Sequence, residues 1–195
     1  MKVLIACEFS GIVRQEFGLR GHDAMSCDLL DTELEGGMIS PHFMGDIFFC
    51  LEMEGPFDLM IAFPPCTHLA SSGARWFKDK RKEQEAAIEF VKRLAAAPVP
   101  HIAIENPIGV LSTRWRKPDQ IIQPWMFGHP ESKATCLWLK GLPLLKPTKN
   151  VKAKMESLPL SERTRVHYAS PGPDRWKERS RTLIGIAKAM AEQWG

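Results

Sequence analysis

Two residues of this chain could carry out covalent chemistry together. Cys66 stands in "FDLMIAFPPCTHLASSG", where an apolar run meets two prolines, and Glu105 lies near the end of the run "HIAIENP". A thiol beside a group that can hold or give a proton is an arrangement for nucleophilic catalysis: the thiolate attacks, and its neighbour manages the charge that the attack creates. The spacing along the chain leaves room for one crossover helix, so a strand, a helix and a neighbouring strand would bring both residues to one sheet edge. Taken singly, each has a plainer explanation, since a lone cysteine is most often a small buried hydrophobe and a Glu before Asn-Pro is often a strand terminus. Asp28 has a logic of its own. An acid at the end of a second strand can accept the ribose hydroxyls of a nucleotide-like cofactor, and a glycine at the first turn, here Gly11, lets such a cofactor approach the backbone.

These residues need a scaffold, and the apolar patterning supplies one. "KVLIAC" reads as a buried strand, Gly11 opens a helix with Ile12, Val13 and Phe17 on one face, and "RGHDAMSCD" brings a turn and a second strand ending at Asp28. "HFMGDIF" reads as a third strand ending at Gly45 and Asp46, and "FDLMIAF" as a fourth, stopped by Pro64 and Pro65 because proline has no backbone N–H and a fixed φ. "KRKEQEAAIEFVKRLAAAP" is the clearest helix, with Ala87, Phe90, Val91 and Leu94 inward. "HIAIENP" is a fifth strand, "ATCLWLKGLP" a further one, and "RTLIGIAKAMAEQW" a closing helix with Ile184, Ala187 and Met190 or Ala191 inward. Strands alternating with helices predict an α/β fold, a mostly parallel, doubly wound sheet with its ligand site at the carboxyl edge.

With 195 residues and 44% hydrophobic composition the chain suits a single domain, 1–195. No apolar run approaches the roughly 18 to 20 residues that span a bilayer, and the first residues do not form a signal peptide, so a soluble, cytoplasmic protein with no membrane partner is expected. Five widely spaced cysteines predict free thiols rather than a disulfide framework or paired zinc knuckles. The net charge of +3 is unevenly spread: between Lys146 and Arg181 there are ten Lys and Arg against four Asp and Glu. That irregular basic segment, 140–174 and the residues beyond it, is either solvated surface or a phosphate-facing tail.

The series "EFSGIV", "CD", "GDI", "FPPCTHLASSG" and "IENP", in that order, resembles the motif series of the C5-cytosine DNA methyltransferases, in the compact form found in bacteriophages and prophages. The resemblance covers Lys2 to Pro107 and, more loosely, the last helix. It implies a Rossmann-like fold of the class I S-adenosylmethionine-dependent methyltransferases, with S-adenosylmethionine as cofactor and DNA, single- or double-stranded, as partner. Cys66 would be the nucleophile that adds to C6 of cytosine, and Glu105 would hold N3 and the exocyclic amine. Phe9, Gly11 and Pro64 would line the cofactor, Asp28 would take its ribose hydroxyls, and Asp46 would contact the adenine amine with Ile47 beside the ring. Pro65 would stiffen the nucleophile loop and, with Asn106, face the substrate.

The chain departs from the family at several places. Cys7 and Val13 stand where an acid and a second glycine are usual, and Thr135 stands near an expected arginine, leaving Lys133, Arg179 and Arg181 as candidates to contact base or phosphate. No segment is long enough for a separate target-recognition domain, so either sequence specificity is slight or a partner protein supplies it. Competing expectations are cytosine methylation of tRNA or other RNA, and a non-catalytic binding decoy on the same fold. An amino-methyltransferase fits less well, because Phe63 precedes the two prolines and Cys66 follows them. A metal site built from Cys66, His68 and His129 has weak spacing, and none is expected.

Overall fold

Strands covered on both faces are mostly apolar through their buried middles, and four segments of this chain are. In the computed structural model, whose described residues are 1–34, 41–76, 79–165, 172 and 175–195, these become β1 (Lys2–Ala6), β2 (Asp23–Asp28), β4 (Leu59–Ala62) and β5 (His101–Pro107). With β3 (His42–Met44), β6 (Gln120–Ile122) and β7 (Thr135–Lys140) they form one seven-stranded sheet in the order β3-β2-β1-β4-β5-β7-β6. The first five strands pair in parallel, while β7 runs antiparallel to both β5 and β6. Successive strand residues point to opposite faces, and the core divides accordingly. Leu4, Met60, Ile102 and Ile104 meet Ile88, Val91 and Leu94 of α3 (Arg81–Ala95) on one side; Val3, Ile5, Leu59, Ile61 and Ala103 meet α1 (Ile12–Gly18) and the C-terminal helix Ile184–Trp194 on the other. This is the mostly parallel, doubly wound α/β arrangement expected.

Three local expectations are corrected. The residues after Gly45 leave the strand and form a helix, α2 (Ile47–Glu54), because the Asp46 carboxylate accepts the backbone N–H groups of Phe48 and Phe49 at 2.9 and 3.1 Å; Asp46 is an N-cap, a signal present in the sequence. In α3 the buried stripe is Gln84, Ile88, Val91 and Leu94, with Ala87 and Phe90 at its margin, a rotation of the expected face by about one position. In the C-terminal helix Ala187, Met190 and Ala191 are inward together with Ile186 and Trp194, but Ile184 is 42% exposed. The short strand β6 was not foreseen. Part of 140–174 is ordered as the short helices Lys152–Ser157 and Leu160–Arg163, and residues 166–171 and 173–174 of it lie outside the described residues. All five cysteines are free, and no described helix is long and apolar enough to cross a membrane.

Strand order reverses between β1 and β4, so a crevice opens at the carboxyl ends of these two neighbours. Cys7 to Gly11 follow β1, and Phe63 to Cys66 follow β4. The turn after β1 and the loop bearing Cys66 therefore border the switch point.

Candidate active site

The loop after β4 is held from several sides. Phe63 N–H donates to the Ala6 carbonyl at 2.9 Å, and Pro64 is buried. The Cys66 carbonyl accepts from Leu69 and Ala70 N–H at 3.0 and 2.9 Å, turning the chain back directly after the cysteine. Asn106, expected to face a substrate, does something else: it is 1% exposed and its Nδ2 donates to the Pro64 carbonyl at 2.8 Å, tying the end of β5 to the residue two before Cys66. Val110 N–H donates to the Leu69 carbonyl at 2.9 Å and Ser71 N–H to the Ile108 carbonyl at 3.0 Å, so the two strand-end loops are laced together. Pro65, Cys66 and Thr67 remain exposed on this fixed support.

That lacing depends on Gly109. A Cβ there would occupy the space of the Leu69 carbonyl oxygen. Gly109→Ala is therefore expected to cost about 1–3 kcal/mol by overpacking, seen calorimetrically as a fall in Tm of about 2–4 °C for each kcal/mol. It should also lower turnover, because the carbonyl that must yield belongs to the Cys66 turn. An unaltered Tm would show that the two loops are not rigidly joined.

Glu105 lies beneath the same edge, in a pocket shared with Phe63, Lys133, Thr135, Arg181 and Leu183. Burial raises its carboxyl above the usual range, opposed by the charge of Lys133 and a hydrogen bond with the Thr135 hydroxyl. The Cys66 residue is exposed, yet its surroundings still desolvate the thiol and push it up; Glu105 adds to this, while Lys133 and Arg179 pull it down. Thiol, carboxyl and two cations thus share one local field. Lys133 Nζ donates to the Arg179 carbonyl at 2.9 Å. Arg181 makes a two-pronged contact to Glu33 at 2.8 and 2.9 Å. The described end of the basic segment, whose sequence fits either solvated surface or a phosphate-facing tail, is thus docked on the carboxyl edge, with the Trp176 ring of the short helix Arg175–Ser180 5.7 Å from that of Phe9. Thr135 is a group whose role no sequence pattern disclosed; strand pairing brings it to the pocket, opposite Pro107 and two residues from Glu105.

At the other end of the crevice, Phe9 is buried and Gly11 has φ 70°, a left-handed backbone that favours glycine. The space a side chain would fill at Gly11 is taken by Leu34 and by Arg14 Nη2, so this glycine serves packing of the chain on itself as well as the turn. Asp28 stands at the end of β2, raised by burial, with Oδ1 accepting from Leu30 N–H at 3.0 Å. Ile47 is buried in the core, and Val13 is a core residue of α1. Cys7 has a left-handed φ of 58°, and burial together with Asp28 and Asp46 pushes its thiol up to about 12. An acid does stand at this turn, one position on from the expected place, at Glu8. The set fits a nucleoside cofactor: a carboxylate at the end of β2 for ribose hydroxyls and an apolar ring after β1.

Among the described residues no cluster of His, Cys, Asp and Glu suits a metal ion. His129 Nε2 accepts the Gly185 N–H at 2.9 Å and so anchors the start of the C-terminal helix. His68 offers its carbonyl to Gln84 Nε2 at 3.1 Å.

No family model matches the sequence, and no curated protein matches it. Among solved structures, one from E. coli, provisionally named as a DNA modification methyltransferase encoded within a prophage, superposes with a TM-score of 0.52 at 15% sequence identity. The match covers 81% of this chain and 55% of that one, so this chain spans little more than half the length of its neighbour. The shared element is the fold. It is the mostly parallel α/β sheet that the order of strands and helices in this sequence predicts, and the Rossmann-like fold that the motif resemblance implies.

Proposed function

We propose that this protein transfers a methyl group from S-adenosylmethionine to C5 of cytosine in DNA through a covalent Cys66 adduct, with relaxed sequence specificity. The observation that carries this reading is Cys66, exposed on a loop pinned by Asn106 and Gly109, within the electrostatic reach of the half-buried Glu105. The fold neighbour's name agrees with DNA as the substrate class. Cytosine C5 is unreactive until a nucleophile adds at C6, and a thiolate is the best protein nucleophile for that. Addition pushes electrons toward N3, where a carboxyl raised by burial can supply a proton and the exocyclic amine can donate back to it. When bound, S-adenosylmethionine supplies the electrophilic methyl group. Once C5 carries that methyl, water takes the C5 proton, Cys66 leaves as a thiolate, and N3 returns its proton to Glu105, which restores the aromatic ring. Lys133 and Arg179 lower the thiol toward its reactive form, and Asp28 and Phe9 would hold the nucleoside part of the cofactor.

In a duplex, C6 is stacked and out of reach, so the base must leave the stack or come from an unpaired strand. The decisive test uses DNA containing 5-fluorocytosine, single- and double-stranded, with S-adenosylmethionine present. Fluorine cannot leave as a proton does, so the expected product is a denaturation-resistant adduct mapping to Cys66, formed in many sequence contexts. The same assay with 5-fluorocytosine RNA examines the RNA reading. No adduct on either nucleic acid, with cofactor bound, would overturn C5 chemistry and leave a binding protein; adducts at one long sequence only would overturn the relaxed specificity.

A further inference from the structure

Cys66 is gripped on both sides through backbone carbonyls. Two residues before it, the Pro64 carbonyl accepts from Asn106 Nδ2 at 2.8 Å; two residues after it, the His68 carbonyl accepts from Gln84 Nε2 at 3.1 Å. Asn106 stands on β5 and Gln84 in the first turn of α3, so the two amides come from different elements. Gln84 is the unexpected one. It is 5% exposed and belongs to the stripe that continues with Ile88, Val91 and Leu94, where an apolar residue would pack at no polar cost. A buried amide is stable in such a place when its donor and its acceptor are both used, and here they are: Oε1 accepts from Arg114 Nη1 at 3.2 Å. The orientation of the amide is unambiguous, because a carbonyl can only accept and a guanidinium can only donate.

Arg114 closes the circuit. It ends the short helix Leu111–Arg114, and Nη2 of the same guanidinium pairs with Glu85, the neighbour of Gln84, at 2.5 Å. Val110, directly before that helix, donates its N–H to the Leu69 carbonyl at 2.9 Å. The path from His68 through Gln84, Arg114 and Val110 thus returns to Leu69, whose own N–H donates to the Cys66 carbonyl at 3.0 Å. A turn tied into such a ring cannot shift without breaking one of these bonds. Resting on the methyl-transfer reading above, we propose that Gln84 is a positioning residue for the Cys66 nucleophile: it holds the far side of the turn as Asn106 holds the near side, and together they set where the thiol stands when a base arrives.

Gln84 carries no charge and leaves the field of Glu105, Lys133 and Arg179 on the thiol as it is, so its effect is geometric. Addition to a ring carbon requires the sulfur above the ring plane at near-contact distance, and a misplacement of about 1 Å can cost about 10²-fold. A small free reagent makes no such demand. Iodoacetamide can reach an exposed thiol from many directions, and it therefore reports the reactivity of Cys66 separately from its placement.

The test compares wild type with Gln84→Met, which keeps the length and suits the apolar stripe but makes neither bond, and with Gln84→Glu, whose carboxylate, held ionised by Arg114, still accepts from it but opposes the His68 carbonyl. Methyl transfer in a single turnover, S-adenosylmethionine affinity by calorimetry, Cys66 alkylation by iodoacetamide, and hydrogen exchange at the Leu69 and Ala70 N–H groups are measured on each. Both variants are expected to lose about 10- to 50-fold in the transfer step, below the loss that a full ångström of misplacement can bring. Cofactor affinity and alkylation rate should stay within a few fold of wild type, while exchange at Leu69 and Ala70 becomes faster. Should Gln84→Met not fold, Gln84→Glu decides. An unchanged transfer rate in a folded variant overturns the proposal; so does wild-type activity in Gln84→Glu alone, which would give the role to the Arg114 link. Alkylation slowed in step with transfer, or transfer lost with exchange unaltered, overturns it as well, because the thiol or another part of the site would then have changed instead of the turn. Absence of both methyl transfer and the fluorocytosine adduct in wild type is a separate failure: it overturns the reaction, and the positioning role of Gln84 falls with it.

Discussion

Cys66→Ala is expected to abolish methyl transfer while leaving affinity for S-adenosylmethionine within a few fold. The backbone of the loop holds its shape: the hydrogen bonds at this position use the Cys66 carbonyl, and Pro64, Leu69 and Val110 supply the rest of the lacing. Little stability is therefore at stake. Turnover is another matter, because without addition at C6 the ring has no route to a nucleophilic C5, and loss of a covalent nucleophile costs on the order of 10⁶ in comparable chemistry. Transfer of a labelled methyl group to cytosine-containing DNA measures the first effect, and calorimetric titration with the cofactor measures the second. Activity within tenfold of wild type would remove Cys66 from the mechanism. Loss of cofactor binding would instead show that the β4 loop belongs to the other half of the crevice.

Glu105→Gln should lower turnover by about two orders of magnitude or more, the scale associated with removing a positioned acid or base. The glutamine keeps the volume and the contact with Thr135 but cannot deliver a proton to N3. A second effect runs the other way. The charge of Glu105 helps hold the Cys66 thiol up, whereas Lys133 and Arg179 hold it down. Removing that charge lets the thiol fall, so at a pH where wild-type Glu105 is ionised, Cys66 in the variant should react faster with iodoacetamide. Mass spectrometry of the Cys66 peptide separates it from the buried Cys27, Cys50 and Cys136. Slower turnover together with faster alkylation is the signature of a carboxyl that acts both on the base and on the thiol; unaltered turnover would make Glu105 only a strand terminus.

The contrast between Asp46 and Asn106 shows how far a linear reading reaches. Both sit directly after apolar runs, at the edge where function was expected. Asp46 caps α2, a role that an Asp followed by an apolar helical stretch announces locally. Asn106 reaches across to the Pro64 carbonyl, a partner 42 residues away, and only the pairing of β4 with β5 makes that contact. Arg181 is a stronger case: its partner, Glu33, is 148 positions distant, and the pair fastens the C-terminal segment over the crevice. A count of basic residues reports charge, and it cannot report that the charge is docked.

What the sequence determined by itself was the alternation of β1, α1, β2, β4, α3 and β5 and the presence of Cys66 and Glu105 at strand ends. Those features follow from local rules: period of burial, proline as a stop, glycine at a left-handed turn. What only the tertiary structure decided was the company these residues keep. The antiparallel insertion of β7 between β5 and β6 brings Thr135 to Glu105, the docked tail brings the Arg179 carbonyl to Lys133, and the β1 turn folds Glu8 under α1. The reason is physical. Burial and charge act through space and depend on which chain segments surround a group, so the proton affinities of Cys66 and Glu105 are properties of the folded sheet edge rather than of any motif that contains them.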